Sequence, residues 1–523
     1  MNYWKTTLAA GLLAATSLST PAISGGVLRL DEVAVGELDP AKASDYADSI
    51  LMFNVYDTLV LPVQGGPGHA PHLATSWTND GNSFTFNLRT DVKFQSGNSM
   101  TADDVVYSVE RMKALGAGLS YLLGVVETVE AVDASTVRFT LSSPYAPFVA
   151  SLVRLPIVDK ALVEANKGDS EWGEAFLSAN SAGTGAYTVT SHNPQEETVM
   201  AKNDGYFLAI ADAAPDTVRL RYGLEAATVR TLIAQGEHDI SSQWLPPEVM
   251  GALAKDGAQL FSESGTGAFY FKMNTTKAPL DDVNCRLALS AAFDYDTAIK
   301  MIAINDDVST GSPATGAIPV GMFGSNDASM VQSQNLETAK AHLAACQYDV
   351  ADMDIEVSWI AEVPLEERLA LLMQSNLTAL GVKSHIKKLP WALFTEAVAK
   401  PENTPHISQL FVNAVTGDPD TLLYGMYHSS VPGTWQSPEY LSDAKVDEFL
   451  DAGRTAATAE GRQQAYASLN ARLMEIVPTI YAYDRQSVFA ASDRVTAPAL
   501  TDPDQAFGLD GMGFSFRLME LAE

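Results

Sequence analysis

The sequence predicts an α/β protein built from two large lobes, and three observations carry that reading. At 523 residues the chain is several times the roughly 100–200 residues of an ordinary domain, so a single core does not hold it. Along the chain, stretches of period-two hydrophobic alternation take turns with helical patterns of roughly 10–18 residues, the mark of sheets with helical cover. No low-complexity linker interrupts this alternation. The chain is therefore expected to pass from lobe to lobe through ordered strands.

The first 24 residues stand apart. Lys5 precedes a short apolar run at 8–15, and Ala22-Ile23-Ser24 puts small residues where a signal peptidase reads, with Gly25-Gly26 just beyond. The run is too short to span a bilayer, and no other stretch reaches the ~20 apolar residues of a transmembrane helix. Residues 1–24 are expected to be a cleaved signal peptide. With no Cys near the cleavage site, the mature chain carries no lipid anchor and is exported as a soluble protein.

After it, residues 27–30 read as a strand leading to a turn at Leu38-Asp39-Pro40, and 47–58 as a helix. Asn79-Asp80-Gly81-Asn82 signals a turn. Phe84, Phe86 and Leu88 then alternate with polar residues, as in a half-buried strand. Thr101 is placed to cap a helix, with Asp104 reaching back from three residues on. Val105, Val106, Val109 and Met112 share one face of that helix. Val137, Phe139 and Leu141 form another alternating strand. In the second half, 364–380 predicts an amphipathic helix stopped by Gly381, 383–388 a strand, and 441–457 and 462–477 two more helices, the last ended by Pro478.

Hydrophobic residues make up 46% of the chain and charged residues only 19%, a composition that folds around a large core. The formal charge of −31, from 64 acidic and 33 basic residues, repels phosphate backbones and anionic lipid. Nucleic-acid binding is thereby excluded, and the acidity reads first as solubility. No G-x-S-x-G, H-E-x-x-H or C-x-x-C occurs, and the eight His are scattered. His69 and His72 flank Pro71 in a Gly/Pro-rich stretch that reads as a surface loop. Neither a cofactor nor a metal site is expected, and the chain does not read as an enzyme. Cys285 and Cys346, the two cysteines, form either one disulfide or two buried thiols.

Residues 74–112, ATSWTNDGNSFTFNLRTDVKFQSGNSMTADDVVYSVERM, resemble the signature block of the oligopeptide/dipeptide-type (family 5) extracellular solute-binding proteins of ABC importers. The matching features are Trp77, Asp80-Gly81, Leu88-Arg89, Phe94, Gly97 and Ala102-Asp103-Asp104-Val105. Gly183-Thr184-Gly185-Ala186-Tyr187 resembles the family's Gly-Thr-Gly-Pro-Tyr, with Ala186 in place of Pro. Met273-Asn274 through Asp282, on to Arg286 and Asp294, is similar to its inter-lobe block, and Gly417-Asp418-Pro419-Asp420 to its Asp-Pro element.

The resemblance implies a two-lobed α/β clamshell of the periplasmic-binding-protein kind, large and of cluster-C type, with mixed sheets and helical cover. Lobe I would comprise 25–271 plus 483–523, with an inserted subdomain at about 55–170, and lobe II 272–482. The hinge would lie near 270–274 and 482–487. Such a protein is a periplasmic monomer that closes on a peptide or other small organic solute and presents it to inner-membrane permease subunits. Rival readings are an exported hydrolase and a binding protein for a metal chelate or haem.

Capture needs a few polar groups in an apolar, aromatic cleft. The candidates are Glu32, Val35 and Glu37 after the first strand, and Gln243 and Trp244 on the loop following the strand-like 238–240. Tyr270, Phe271 and Asn274 lie at the first crossing and Tyr483 at the return. The second lobe offers Trp359, Trp391, Phe411, Asn413, Val415 and Trp435. The resemblance also marks two departures. Peptide-binding members often carry an acid three positions before the Asp of Asp-Pro, to pair with an α-ammonium, and here that position is Val415. Members holding a short peptide's carboxylate supply an Arg before the helix corresponding to 364–380, where this chain has Ser358-Trp359-Ile360-Ala361-Glu362. A site without either partner disfavours zwitterionic dipeptides, because an unpaired buried charge costs several kcal/mol. Longer peptides, oligosaccharides, opines or other solutes are expected instead.

Overall fold

In Val27–Glu32, Leu28 and Leu30 turn to one side and are fully buried, so the strand needs a covered sheet. It pairs in parallel with Thr217–Tyr222, which continues antiparallel to Glu197–Lys202 and then Tyr187–Asn193. The computed structural model describes residues 25–63, 68–326 and 331–522, so the signal peptide expected at 1–24 lies outside the described residues.

A second sheet is wholly antiparallel, in the order Ala74–Asp80, Ser83–Leu88, Thr136–Leu141, Val126–Asp133. Gly81 makes its first turn at φ +65°. Phe84, Phe86, Val137 and Phe139 are buried beneath the helix Ala102–Leu115, which contributes Val105, Val109 and Met112 to the same core. That helix starts on the expected capping box, with the Asp104 carboxylate accepting the Thr101 N–H at 2.8 Å, and ends at left-handed Gly116. Trp77 is half-buried and stacks on Phe86 at 5.9 Å.

The third sheet has six strands in the order Gly311–Ser312, Thr479–Ala491, Gln259–Met273, Ile407–Asn413, Asp354–Ile360, Lys383–Leu389. It is mixed: the long strands pair antiparallel, while Asp354–Ile360 runs parallel to both its neighbours. Gln259–Met273 and Thr479–Ala491 pass between two cores. Phe261 and Phe489 pack with Leu28 and Leu30, whereas Phe269, Phe271 and Ile480 pack with the helices Val283–Ala292 and Pro364–Ala379. Their pairing loses register between Ser264 and Ala268 and again between Phe269 and Tyr270. Both breaks precede 271, so the irregularity begins earlier than the crossing expected at 270–274.

Cys285 and Cys346 are bonded, with Cα atoms 5.1 Å apart, and tie Val283–Ala292 to the end of Leu336–Ala345. The helix expected at 47–58 is Tyr46–Val55. It stops early because Tyr56 turns extended, leaving Asp57 to accept hydrogen bonds from Thr184 at 2.6 Å and Tyr206 at 2.9 Å. His72, expected in a surface loop, is buried 2.7 Å from that same Asp57, and His69–Pro71 is a short strand paired with Val60–Pro62. Gly183 and Gly185 lie against the backbone of Asn54 and Val55. A Cβ there would come within 2.1 Å and 2.4 Å of it, so close approach requires these glycines.

Candidate functional site

Three segments converge on one cleft of about 470 Å³. The first, 242–248, follows Ile240, which bridges to Leu30 and Ala491, and runs into Pro247–Lys255, a helix with Pro at its first position. The second is the start of Pro364–Ala379, where Glu362, Val363 and Leu365 face the cleft. The third is the return strand, on which Tyr483, Arg485 and Ser487 fall on one side because strand side chains alternate. Phe411, from Ile407–Asn413, which lies across Gln259–Met273 from the return strand, completes the wall.

The polar chemistry centres on Gln243. Its Oε1 accepts from the Arg485 guanidinium and, at 2.7 Å, from the Ser487 hydroxyl. Its Nε2 is buried and finds no acceptor among the described residues. The Arg485 guanidinium lies 4.7 Å from the Trp244 ring centre and 5.6 Å from that of Phe411, a cation held between aromatic faces. Tyr483 is fixed from behind by stacking on Phe269 at 5.1 Å. Behind the wall, Glu32 accepts from Val33 N–H at 3.0 Å and the Ser242 hydroxyl at 3.2 Å. Burial pushes its carboxyl up to about 7. At the rim, Arg368 Nη1 donates to Glu248 Oε1 at 2.7 Å.

Of the residues singled out from sequence, Gln243, Trp244, Phe411 and Tyr483 meet in this cleft. The others lie elsewhere. Glu32 stands just behind it, and Val35 is part of a hydrophobic core. Glu37 donates its N–H to Asp48 at 3.2 Å. Tyr270 and Phe271 are fully buried, the former donating to the Ala317 carbonyl at 3.0 Å and the latter edge-on to Phe269. Asn274 is spent on Pro401 and Thr276. Trp359 is buried under Lys388, while Trp391 and Trp435 pack on each other with centroids 5.6 Å apart. Asn413 pairs with Gly267 in the sheet. Tyr270 and Phe271 are buried because the long strand that carries them is covered on both faces.

Val415 has a neighbour that sequence does not show. Its carbonyl accepts from the Arg154 Nε, and Arg154 also donates to Ser49 at 2.9 Å. Nearby, Asp420 accepts from Tyr145 at 2.9 Å and from Arg454 at 2.7 Å, and Asp418 from Arg462 at 2.7 Å. The Asp-Pro element is thus committed to internal ion pairs. Arg485, Ser487, Glu248 and Arg368 were not legible as site residues. The one signal for the first two was their alternation with Tyr483 on a single strand.

The sequence profile of the bacterial extracellular solute-binding proteins, family 5 (middle region), matches residues 69–434. The Probable D,D-dipeptide-binding periplasmic protein of Escherichia coli K12 is 26% identical over 469 residues, covering 88% of each chain. Heme-binding protein A of Haemophilus influenzae is 25% identical over 449 residues, covering 79% of this chain and 78% of its own. Among solved structures, an ABC transporter substrate binding protein of Listeria monocytogenes superposes with a TM-score of 0.84 at 20% identity, covering 96% of this chain and all of that one.

Proposed function

The chain belongs to the bacterial extracellular solute-binding proteins of family 5, and from that premise we propose that it captures a peptide or other small organic solute in the periplasm for an ABC importer. The observation that carries this is the cleft itself. It is concave and aromatic, with one small group of polar side chains, as capture sites are. The Escherichia coli relative is named for binding D,D-dipeptides, and the Listeria structure for its place in an ABC transporter. Among the described cleft residues, the Ser487 hydroxyl is hydrogen-bonded to an amide rather than to a base, which favours binding over catalysis.

We assign lobe I to 25–271 plus 483–523, with the subdomain at about 55–170 inserted, and lobe II to 272–482. The separate packing of Phe261 with Phe489 and of Phe271 with Ile480 supports two lobes, but draws the first boundary back from 271 to the stretch between Phe261 and Phe269. Closure bends the two long strands where their register breaks, between Ser264 and Ala268. A solute shifts this equilibrium by the difference between its affinities for the closed and open forms.

A thermal-shift screen of the mature protein over peptides, oligosaccharides, opines, haem and metal chelates tests the reading. A true ligand at about 100 times its Kd stabilises by ~2.7 kcal/mol. If no solute of any class raises the melting temperature, or if one is turned over, capture is the wrong function.

A further inference from the structure

Arg485 brings a positive charge into the cleft without a carboxylate to meet it. Its side chain is engaged by the Gln243 amide oxygen and by two aromatic rings, and among the described residues it forms no ion pair. The acids around it are otherwise occupied. Glu248 is paired with Arg368, and Glu362 accepts the N–H of Trp391 at 3.1 Å. Glu32 feels the Arg485 charge without forming an ion pair with it; it accepts from Val33 N–H and the Ser242 hydroxyl, and burial pushes its carboxyl up to about 7. Gln243 adds a buried amide donor that has found no acceptor, although the residue is only 7% exposed. Donors without acceptors at one spot describe a place for an anion.

Trp244, Leu245, Val363, Leu365 and Phe411 give the cleft an apolar wall, beside which Thr310, Glu362 and Gln486 add polar groups. One exposed acid, Glu362, also faces the cleft; it accepts the Trp391 N–H and forms no ion pair among the described residues.

We infer that the ligand carries a carboxylate, held by Arg485 beside Gln243, with a partly aromatic body lying along Trp244, Leu365 and Phe411. This rests on the capture reading and narrows it. A fork of N–H donors clamped between rings suits a carboxylate, because two parallel bonds form without reordering the side chain.

Titration calorimetry on the mature protein with three probes tests it: N-acetyl-Phe-Ala, its C-terminal amide and 3-phenylpropionate. N-acetyl-Phe-Ala is expected to bind at least tenfold more tightly than its amide, with measurable binding of 3-phenylpropionate. Arg485→Gln should erase the advantage over the amide, and Arg485→Lys should keep part of it. Equal affinity for acid and amide in the unaltered protein overturns the inference whatever the variants do. So does capture of a neutral or cationic solute with an affinity untouched by Arg485→Gln, and in that case the solute-binding function stands. If neither these probes nor the wider screen yields any ligand, capture itself has failed.

Discussion

Arg368 and Glu248 reach towards each other at the rim of the cleft, Nη1 to Oε1 at 2.7 Å, from near the starts of the helices Pro364–Ala379 and Pro247–Lys255. Both side chains are more than half exposed. An ion pair in water of this kind contributes about 0–1 kcal/mol. Arg368→Ala is therefore expected to weaken the tightest solute of the thermal-shift screen by no more than about fivefold, with the difference shrinking in 1 M salt. A loss of a hundredfold, measured by titration calorimetry, would mean that Arg368 touches the solute directly.

Four buried carboxyls set the pH response. Burial pushes Glu32, Glu263 and Asp484 up to about 7, and Glu366 up to about 8. An acid whose folded pKa lies above its unfolded value binds protons on folding. Its stabilisation is complete below about 4.5 and is lost as pH rises through 7 to 8. The melting temperature should accordingly be higher at pH 5.5 than at pH 8.5. Glu366→Gln isolates one contributor, since the amide oxygen can still accept the Ile360 N–H that now lies 2.7 Å from the carboxylate. That variant should gain on the order of 1–3 kcal/mol at pH 8.5 and almost nothing at pH 5. An identical pH profile for both proteins would show that Glu366 does not titrate in this window.

Local rules were readable and long-range ones were not. The Thr101–Asp104 capping box, the Gly81 turn and the Gly381 stop each act within a few residues, and each is found where the pattern puts it. Helix starts were displaced where capping was overlooked. Asp443 accepts from Lys445 and Val446 and starts a helix at Ala444, not 441, and Thr458 starts the next at Ala459, not 462. At the cleft, alternation alone could not separate a strand facing a ligand from one buried on both faces, so Tyr270 and Phe271 looked the same as Tyr483. Arg485 carries no local signature. Its place depends on Gln243 and Trp244, which the chain brings to it across more than 240 positions.

The Cys285–Cys346 bond closes a loop of 61 residues around the core that contains Phe271 and Met373. Loop-closure entropy for that length is about 4 kcal/mol, and typical bridges contribute 2–4. A Cys285→Ala/Cys346→Ser double variant, or the reduced protein, should lose that much in urea unfolding, with the slope of the transition rising as the unfolded chain expands. Loss of less than about 1 kcal/mol would mean that the surrounding helices hold this core without the bond.

Two glycines separate backbone conformation from close approach. Gly81 sits at φ +65° with nothing within 4 Å of where a Cβ would be. Gly185 has no such φ, but its Cβ would fall 2.4 Å from the backbone of Asn54 and Val55. Ala at position 81 pays only for left-handed backbone, about 1 kcal/mol. At 185 it must push the strand Tyr187–Asn193 away from the helix Tyr46–Val55, opening the packing of Tyr56 and Tyr187. Overpacking of this kind costs 1–3 kcal/mol or more, and the obstacle here is main chain, which has no rotamer to change. Gly185→Ala should therefore shift the urea midpoint well beyond Gly81→Ala. The reverse order would place the constraint at Gly185 in its backbone angles and not in its neighbours.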